Sequence, residues 1–324
     1  MADAYRHPFL YPESTETKMP MASQHYQLNC RGSLLNLDAG TKIMGILNIT
    51  PDSFSDGGRY LDPDDAVAQA EVLVEEGADI IDIGGESTRP AGPYGTGAAA
   101  ISLEEEIRRT IPVIEKIAAR TGRPISIDTT KAEVARQALQ AGASIVNDIS
   151  ALRFDPKMAQ TVAASGAPII LMHMQGTPKT MQKNPTYKNL IAEIKSFLKE
   201  RKQTAIEAGI APENVVLDPG LGFGKREVHS HEILARLHEF HDLGSPLLIG
   251  PSRKKFTGSN LPAAERLEGT LSALAFCVAG GAHILRVHDV QAARKAVSVA
   301  ERIVCFQERA VSIHPENKTS LTKT

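Results

Sequence analysis

Tryptophan is absent from the 324 residues, aromatics make up only 5%, and cysteine occurs three times, at Cys30, Cys277 and Cys305. An odd, sparse set without CxxC or Cys/His ligand spacing fits a reducing compartment better than a disulfide scaffold and speaks against structural zinc. Charge of one sign is also missing: 36 Lys+Arg against 38 Asp+Glu leave −2, so no overall field draws nucleic acid or an anionic membrane. The longest apolar run, 273–279, falls well short of the roughly 18 to 20 residues that cross a bilayer. The first residues, 1–18, lack the apolar core of a signal peptide. These absences predict a soluble, cytoplasmic protein that binds neither nucleic acid nor membrane.

What the chain does have is a hydrophobic fraction of 42%, ample for one large domain or two ordinary ones. Residues 1–25 and 312–324 are polar and without period, and are expected to be a flexible extension and a flexible tail around a domain over 26–311. Within that domain, β-branched runs at 43–48, 79–84, 124–128, 144–148, 168–173, 215–218, 247–250 and 283–288 alternate with amphipathic stretches. Eight strand–helix units predict an α/β chain folded as a (β/α)8 barrel, with a doubly wound sheet as runner-up. Upstream, 26–30 and 33–37 flank Arg31-Gly32 and read as a hairpin, a structural plug under the N-terminal end of the barrel.

In such a barrel the chemistry sits at the C-terminal strand ends. Polar residues fall there at nearly every strand: Asn48, the run from Gly84 to Pro90, Asp128, Asn147-Asp148, His173, Asp218, Ser252-Arg253-Lys254-Lys255 and Arg286-Val287-His288-Asp289. Asp128, Asp218 and Asn147 would converge on one cavity, where carboxylates are costly unless they meet N–H donors, so a ligand such as an amino-pyrimidinone is implied. A single strand-end Asp can equally cap the following helix. Arg253, Lys254, Arg286 and His288 form a basic cluster where barrels commonly bind phosphate. With Arg89 and Asn48 they could clamp a diphosphate and its Mg2+, the alternative being a solvated basic rim. His173, between methionines, reads as a hydrogen-bonded core residue, and Met172 as an apolar wall for a flat ring. The glycines of Gly220-Leu221-Gly222-Phe223-Gly224-Lys225 lack phosphate-loop spacing and read as a tight turn aiming Phe223 over the cavity.

These residues also carry a resemblance. Met44-Gly45-Ile46-Leu47-Asn48-Ile49-Thr50-Pro51-Asp52-Ser53-Phe54-Ser55-Asp56-Gly57-Gly58 and Asp82-Ile83-Gly84-Gly85-Glu86-Ser87-Thr88-Arg89-Pro90 resemble the signatures of the dihydropteroate synthases. So do Ile127-Asp128-Thr129, Val146-Asn147-Asp148-Ile149, the stretch from Asp218 to Lys225, Ser252-Arg253-Lys254 and Arg286-Val287-His288-Asp289-Val290. The resemblance implies a barrel, commonly a homodimer, that joins p-aminobenzoate to 6-hydroxymethyl-7,8-dihydropterin diphosphate with Mg2+, releasing diphosphate and 7,8-dihydropteroate. Asp128, Asn147, Asp218 and Lys254 would then hold the pterin, with Ile149 and Met172 lining its pocket. Asn48 would serve Mg2+ and diphosphate, and Arg89, Arg286 and His288 the diphosphate oxygens. Thr88, Pro90, Phe54, Phe223 and Lys254 would frame the aminobenzoate, while Asp56 faces a cationic carbon formed when diphosphate leaves first.

Two positions depart from the family pattern. Ala91 precedes Gly92 in a longer second loop, and Lys255 stands where many members carry Ser, which bears on aminobenzoate and sulfonamide binding. Two rivals share part of the site: a methyltetrahydrofolate-dependent methyltransferase and a non-catalytic pterin-binding protein. The Thr88-Arg89-Pro90 loop and the Arg286/His288 pair argue against the first, and Asn48, Asp56, Arg89 and Arg286 against the second.

Overall fold

A computed structural model describes residues 25–49, 63–86 and 101–313. Arg31 and Gly32 both take positive φ, 56° and 84°, the backbone of a two-residue turn whose twist matches antiparallel strands. They close a hairpin of β1 (Gln27–Cys30) and β2 (Ser33–Asn36). Eight parallel strands follow, β3 (Lys42–Asn48), β4 (Ile80–Gly84), β5 (Ile125–Asp128), β6 (Ile145–Asp148), β7 (Ile169–Met172), β8 (Val215–Asp218), β9 (Leu248–Ile249) and β10 (Ile284–Val287). Each is followed by a helix: α1 (Pro63–Glu75), α2 (Leu103–Arg120), α3 (Ala132–Ala141), α4 (Met158–Ser165), α5 (Leu190–Glu207), α6 (Glu227–Ala235), α7 (Leu267–Ala279) and α8 (Val290–Ile313).

The sheet order is β8-β7-β6-β5-β4-β3-β10-β9, and a parallel bridge between Leu217 and Leu247 joins its two ends. The sheet therefore closes into the expected (β/α)8 barrel, and the doubly wound alternative, which needs open edges, falls away. Both faces of the barrel strands are covered, which is why they read as continuous Val/Ile/Leu runs. Outward side chains such as Ile43, Ile81, Ile127, Val146, Leu171 and Leu285 are buried under the helices, and each contributes roughly 1.5–3 kcal/mol of burial.

Inside, Leu28, Cys30 and Leu37 of the hairpin segment join Met44, Ile80, Ile145, Ile170, Val216, Leu248 and Ile284 in one buried apolar cluster. The hairpin is thus the plug expected from its sequence. His25, placed in the expected extension, is tied down through Nδ1 to Asp38 at 2.9 Å, and α8 runs two residues beyond the expected boundary at 311. The rest of the expected extension and tail lies outside the described residues. Cys30, Cys277 and Cys305 are free thiols. Among the described residues no helix is long and apolar enough to cross a membrane.

Candidate functional site

Side chains alternate along a strand, so the residue two beyond each member of the plug cluster faces the same interior one layer higher. On the barrel strands those residues are Ile46 after Met44, Asp82 after Ile80, Asn147 after Ile145, Met172 after Ile170, Asp218 after Val216, Gly250 after Leu248 and Arg286 after Ile284. The chain thus sets a layer carrying Asp82, Asn147, Asp218 and Arg286, the polar layer, directly on an apolar floor. Parallel pairing brings Asn48 beside Gly84, Gly84 beside Asp128, and Asp128 beside Asn147.

The guanidinium of Arg286 organises this layer. Its Nε donates to Asp82 Oδ2 at 2.6 Å and its Nη2 to Asp128 Oδ2 at 2.7 Å, so it braces two acids on neighbouring strands and keeps its other N–H groups. Asn147 Nδ2 reaches Asp82 Oδ1 at 3.5 Å. Burial outweighs the Arg286 charge at Asp128 and raises that carboxyl from 3.8 to about 7, with Asp82 adding to the rise. Asp218 is also raised by burial, against the pull of Lys254. Its Oδ1 accepts from Gly220 N at 2.6 Å, closing a local turn and capping no helix, since α6 begins only at Glu227. The outward Asp148 spends both oxygens that way, on the N–H groups of Ser150 at 2.8 Å and Leu152 at 2.7 Å, and belongs to the loop, not to the cavity.

Lys254 enters from the loop after β9. Its Nζ donates to Leu221 O at 2.5 Å and lies 4.8 Å from the centre of the Phe223 ring. Burial pulls its ammonium down to about 8, with Asp218 opposing and Arg286 assisting. The turn carrying Phe223 depends on its glycines: at Gly220, φ +69°, an added Cβ would sit 2.0 Å from His173 O. Ile149, Met172, Met174 and Met181 form a buried apolar cluster against which Phe223 packs, a polarizable wall beside the polar layer. His173 is the buried core residue expected, its Nδ1 accepting from Lys225 Nζ at 2.7 Å.

At the mouth, Ser252 Oγ lies 2.9 Å from His288 Nδ1 and accepts from His288 N at 3.1 Å. The hydroxyl can give its proton to Nδ1, leaving Nε2–H as a donor toward the opening. Burial, then the Arg286 charge, holds the His288 imidazole down at about 4, so His288 offers a neutral N–H, not a second positive charge. Arg253, expected in the basic cluster, is instead turned aside: its Nε donates to Asp289 Oδ2 at 2.9 Å and its Nη2 to Oδ1 at 2.5 Å. Lys255 is exposed and pairs with Glu227 Oε1 at 3.0 Å.

The structure therefore brings together Asn48, Asp128, Asn147, Ile149, Met172, Asp218, Phe223, Lys254, Arg286 and His288. Phe54, Asp56, Thr88, Arg89 and Pro90 lie outside the described residues. Sequence reasoning missed Asp82 and Ser252 as parts of the site. The signal for Asp82 was available: an acid in the middle of the apolar strand Ile80-Ile81-Asp82-Ile83, on the inward phase and wholly buried, must have a cationic or donor partner.

Comparison with known proteins agrees with this geometry. A family model described as pterin binding enzyme matches residues 44–288. The dihydropteroate synthase of Escherichia coli K12 is 46% identical over 284 residues, 87% of this chain and 98% of that protein. The Yersinia pestis dihydropteroate synthase solved with a sulfonamide drug superimposes with a TM-score of 0.80 at 42% identity, covering 86% of this chain and 98% of that one. The Xanthomonas albilineans dihydropteroate synthase in complex with 7,8-dihydropteroate gives 0.76 at 41% identity, covering 86% and 98%. A chain with this barrel, this polar layer and this extent of similarity belongs to the pterin binding enzymes and, among them, to the dihydropteroate synthases.

Proposed function

We propose that the polar layer above the plug is the pterin seat of a synthase joining 6-hydroxymethyl-7,8-dihydropterin diphosphate to p-aminobenzoate. The observation that supports this best is the convergence of Asp82, Asp128, Asn147, Asp218, Lys254 and Arg286 from six segments on one interior layer. Asp128, Asp218 and the Asn147 amide accept and donate along the edge of the flat ring, Lys254 serves its acceptors, and Ile149 and Met172 stack against its face. Arg286, with two donors held by Asp82 and Asp128, presents the rest toward the diphosphate, together with His288 Nε2–H and Arg89.

Mg2+ fits the donors present. Asn48 Oδ1 and Asp128 Oδ2 both lie within 4.0 Å of the point where a Cβ on Gly84 would sit, so hard oxygens face one space. One protein oxygen is enough for an ion held mainly by phosphate oxygens and water. Asn48 would be its ligand, and the ion would neutralise charge on the departing diphosphate.

The chain's own residues then account for a dissociative order of events. Arg286 and His288 are oriented before reaction, so they stabilise charge as it grows on the leaving oxygen without reorganising. Asp56 meets the positive charge left on the pterin methylene, and the first two loops exclude water that would intercept it. The neutral aniline nitrogen of p-aminobenzoate, framed by Thr88, Pro90, Phe54, Phe223 and Lys254, attacks with little need of a general base because placement supplies most of the advantage.

The protein works as a cytoplasmic homodimer in this reading. Val299, Ile303 and Phe306, spaced along one face of α8, are exposed, as is Phe276 on α7 against which α8 packs, and an apolar face of that kind is suited to a second copy.

The test is diphosphate release, with mass detection of dihydropteroate, from protein given the pterin diphosphate and Mg2+ with and without p-aminobenzoate. Product should require every component, and a sulfonamide should compete with p-aminobenzoate. Pterin binding without product would favour the non-catalytic alternative, and no pterin binding would overturn the assignment of the layer.

A further inference from the structure

Lys225 is a cation the chemistry above does not use. It ends the glycine turn, is 3% exposed, and among the described residues makes no salt bridge, the Asp218 carboxylate acting on it only through space. Its Nζ instead donates to His173 Nδ1 at 2.7 Å, Phe223 O at 3.1 Å and His173 O at 3.4 Å. With Nζ as the donor, His173 presents the bare Nδ1 and carries its proton on Nε2. That ring is in turn held edge-on to Phe197, with centroids 4.9 Å apart.

Burying a lysine in this way costs free energy unless its donors are met, and burial does lower its ammonium well below the usual lysine range. What the arrangement achieves is placement. The same Nζ joins the loop after β7, through His173, to the carbonyl of Phe223, whose ring lies under Lys254. Two further ties run between the same loops, Gln182 Nε2 to Gly222 O at 2.6 Å and Tyr187 Oη to Gly224 O at 2.7 Å. Those two engage the turn on either side of Phe223, whereas Lys225 engages Phe223 itself.

We propose that Lys225 and His173 are a positioning pair for the synthase reaction, fixing the Phe223 ring where the aminobenzoate approaches. The proposal rests on the assignment of Phe223 made above. It predicts a split between the two substrates. The pterin is held by Asp128, Asn147 and Asp218 and by Lys254, whose own tie is to Leu221 O, while the aminobenzoate depends on the Phe223 ring.

The experiment is steady-state kinetics of the full chain with each substrate varied in turn, for wild type, Lys225→Met, His173→Phe and His173→Asn. Phenylalanine keeps a ring but removes the acceptor, whereas the asparagine oxygen can stand where Nδ1 stood. Lys225→Met and His173→Phe should raise the aminobenzoate KM by about tenfold or more and leave the pterin diphosphate KM within about twofold, with His173→Asn restoring most of the loss. If Lys225→Met does not fold, the two His173 variants decide. Equal losses in His173→Phe and His173→Asn, equal changes in both KM values, or no change in either would overturn the positioning pair. Failure of the wild-type protein to form dihydropteroate would instead overturn the underlying assignment.

Discussion

Replacing Asp82 by Ala should be more damaging than expected of a motif residue to which the sequence assigns no role. The side chain is wholly buried and takes the Nε of Arg286 at 2.6 Å. Removing one partner of a buried ion pair costs roughly 3–5 kcal/mol, because the other charge is left without compensation. Here Asp128 still holds Nη2 and Arg286 is partly exposed at 24%, which places the loss near the lower end, about 3 kcal/mol. For a barrel of this size that is a fall in Tm of about 5 °C. Arg286 would also turn toward Asp128 alone, and Asn147 would lose its acceptor, so pterin affinity should fall by about tenfold. Asp82→Asn keeps the shape and one acceptor and should lose less than half as much. Differential scanning calorimetry and pterin titration read both quantities. A Tm within about 1 °C of wild type, with unchanged pterin affinity, would refute the claim that Asp82 holds Arg286 in place.

Three further predictions concern separate parts of the molecule. Burial raises the Asp128 carboxyl from 3.8 to about 7, so its stabilising contribution in the free protein is full below about 3.8 and is lost as pH rises through about 7. A ring N–H needs the ionised acceptor, so pterin affinity should increase across that same rise with a proton released on binding; calorimetry in buffers of different ionisation enthalpy detects it, and an unchanged dependence in Asp128→Asn would contradict it. Gly220→Ala meets both a positive φ of 69° and a backbone oxygen 2.0 Å away, and should cost about 3 kcal/mol in urea unfolding; a midpoint equal to wild type would show that the turn yields freely. Leu28→Ala empties the plug and should destabilise by about 2–5 kcal/mol while pterin affinity holds, so a loss of affinity without a loss of stability would tie the hairpin to the site and not to the floor.

Much of this was legible in the residues themselves. Strand positions followed from β-branched runs bounded by turn residues, because a strand buried on both faces must be apolar throughout. The hairpin followed from Arg31-Gly32, where two consecutive positive φ angles suit few residue pairs. Asp128, Asn147 and Asp218 were found because strand ends are where a barrel places its chemistry, and His173 was read as a core residue because of its apolar neighbours.

What the sequence could not contain was which charges meet. Arg253 and Arg286 look alike as strand-end cations, yet one is spent on Asp289 and the other braces Asp82 and Asp128. His288 looks like a third positive charge, but burial beside Arg286 leaves it neutral. Asp82 stands 204 residues from its partner, and Lys225 stands 52 from His173. The local pattern determined where each element begins, which face it buries and how high each side chain stands in the barrel, since those depend on a period of two residues. Closure of the sheet alone decided the ion pairs and protonation states, because both depend on distance and desolvation between groups that the chain keeps far apart until the barrel forms.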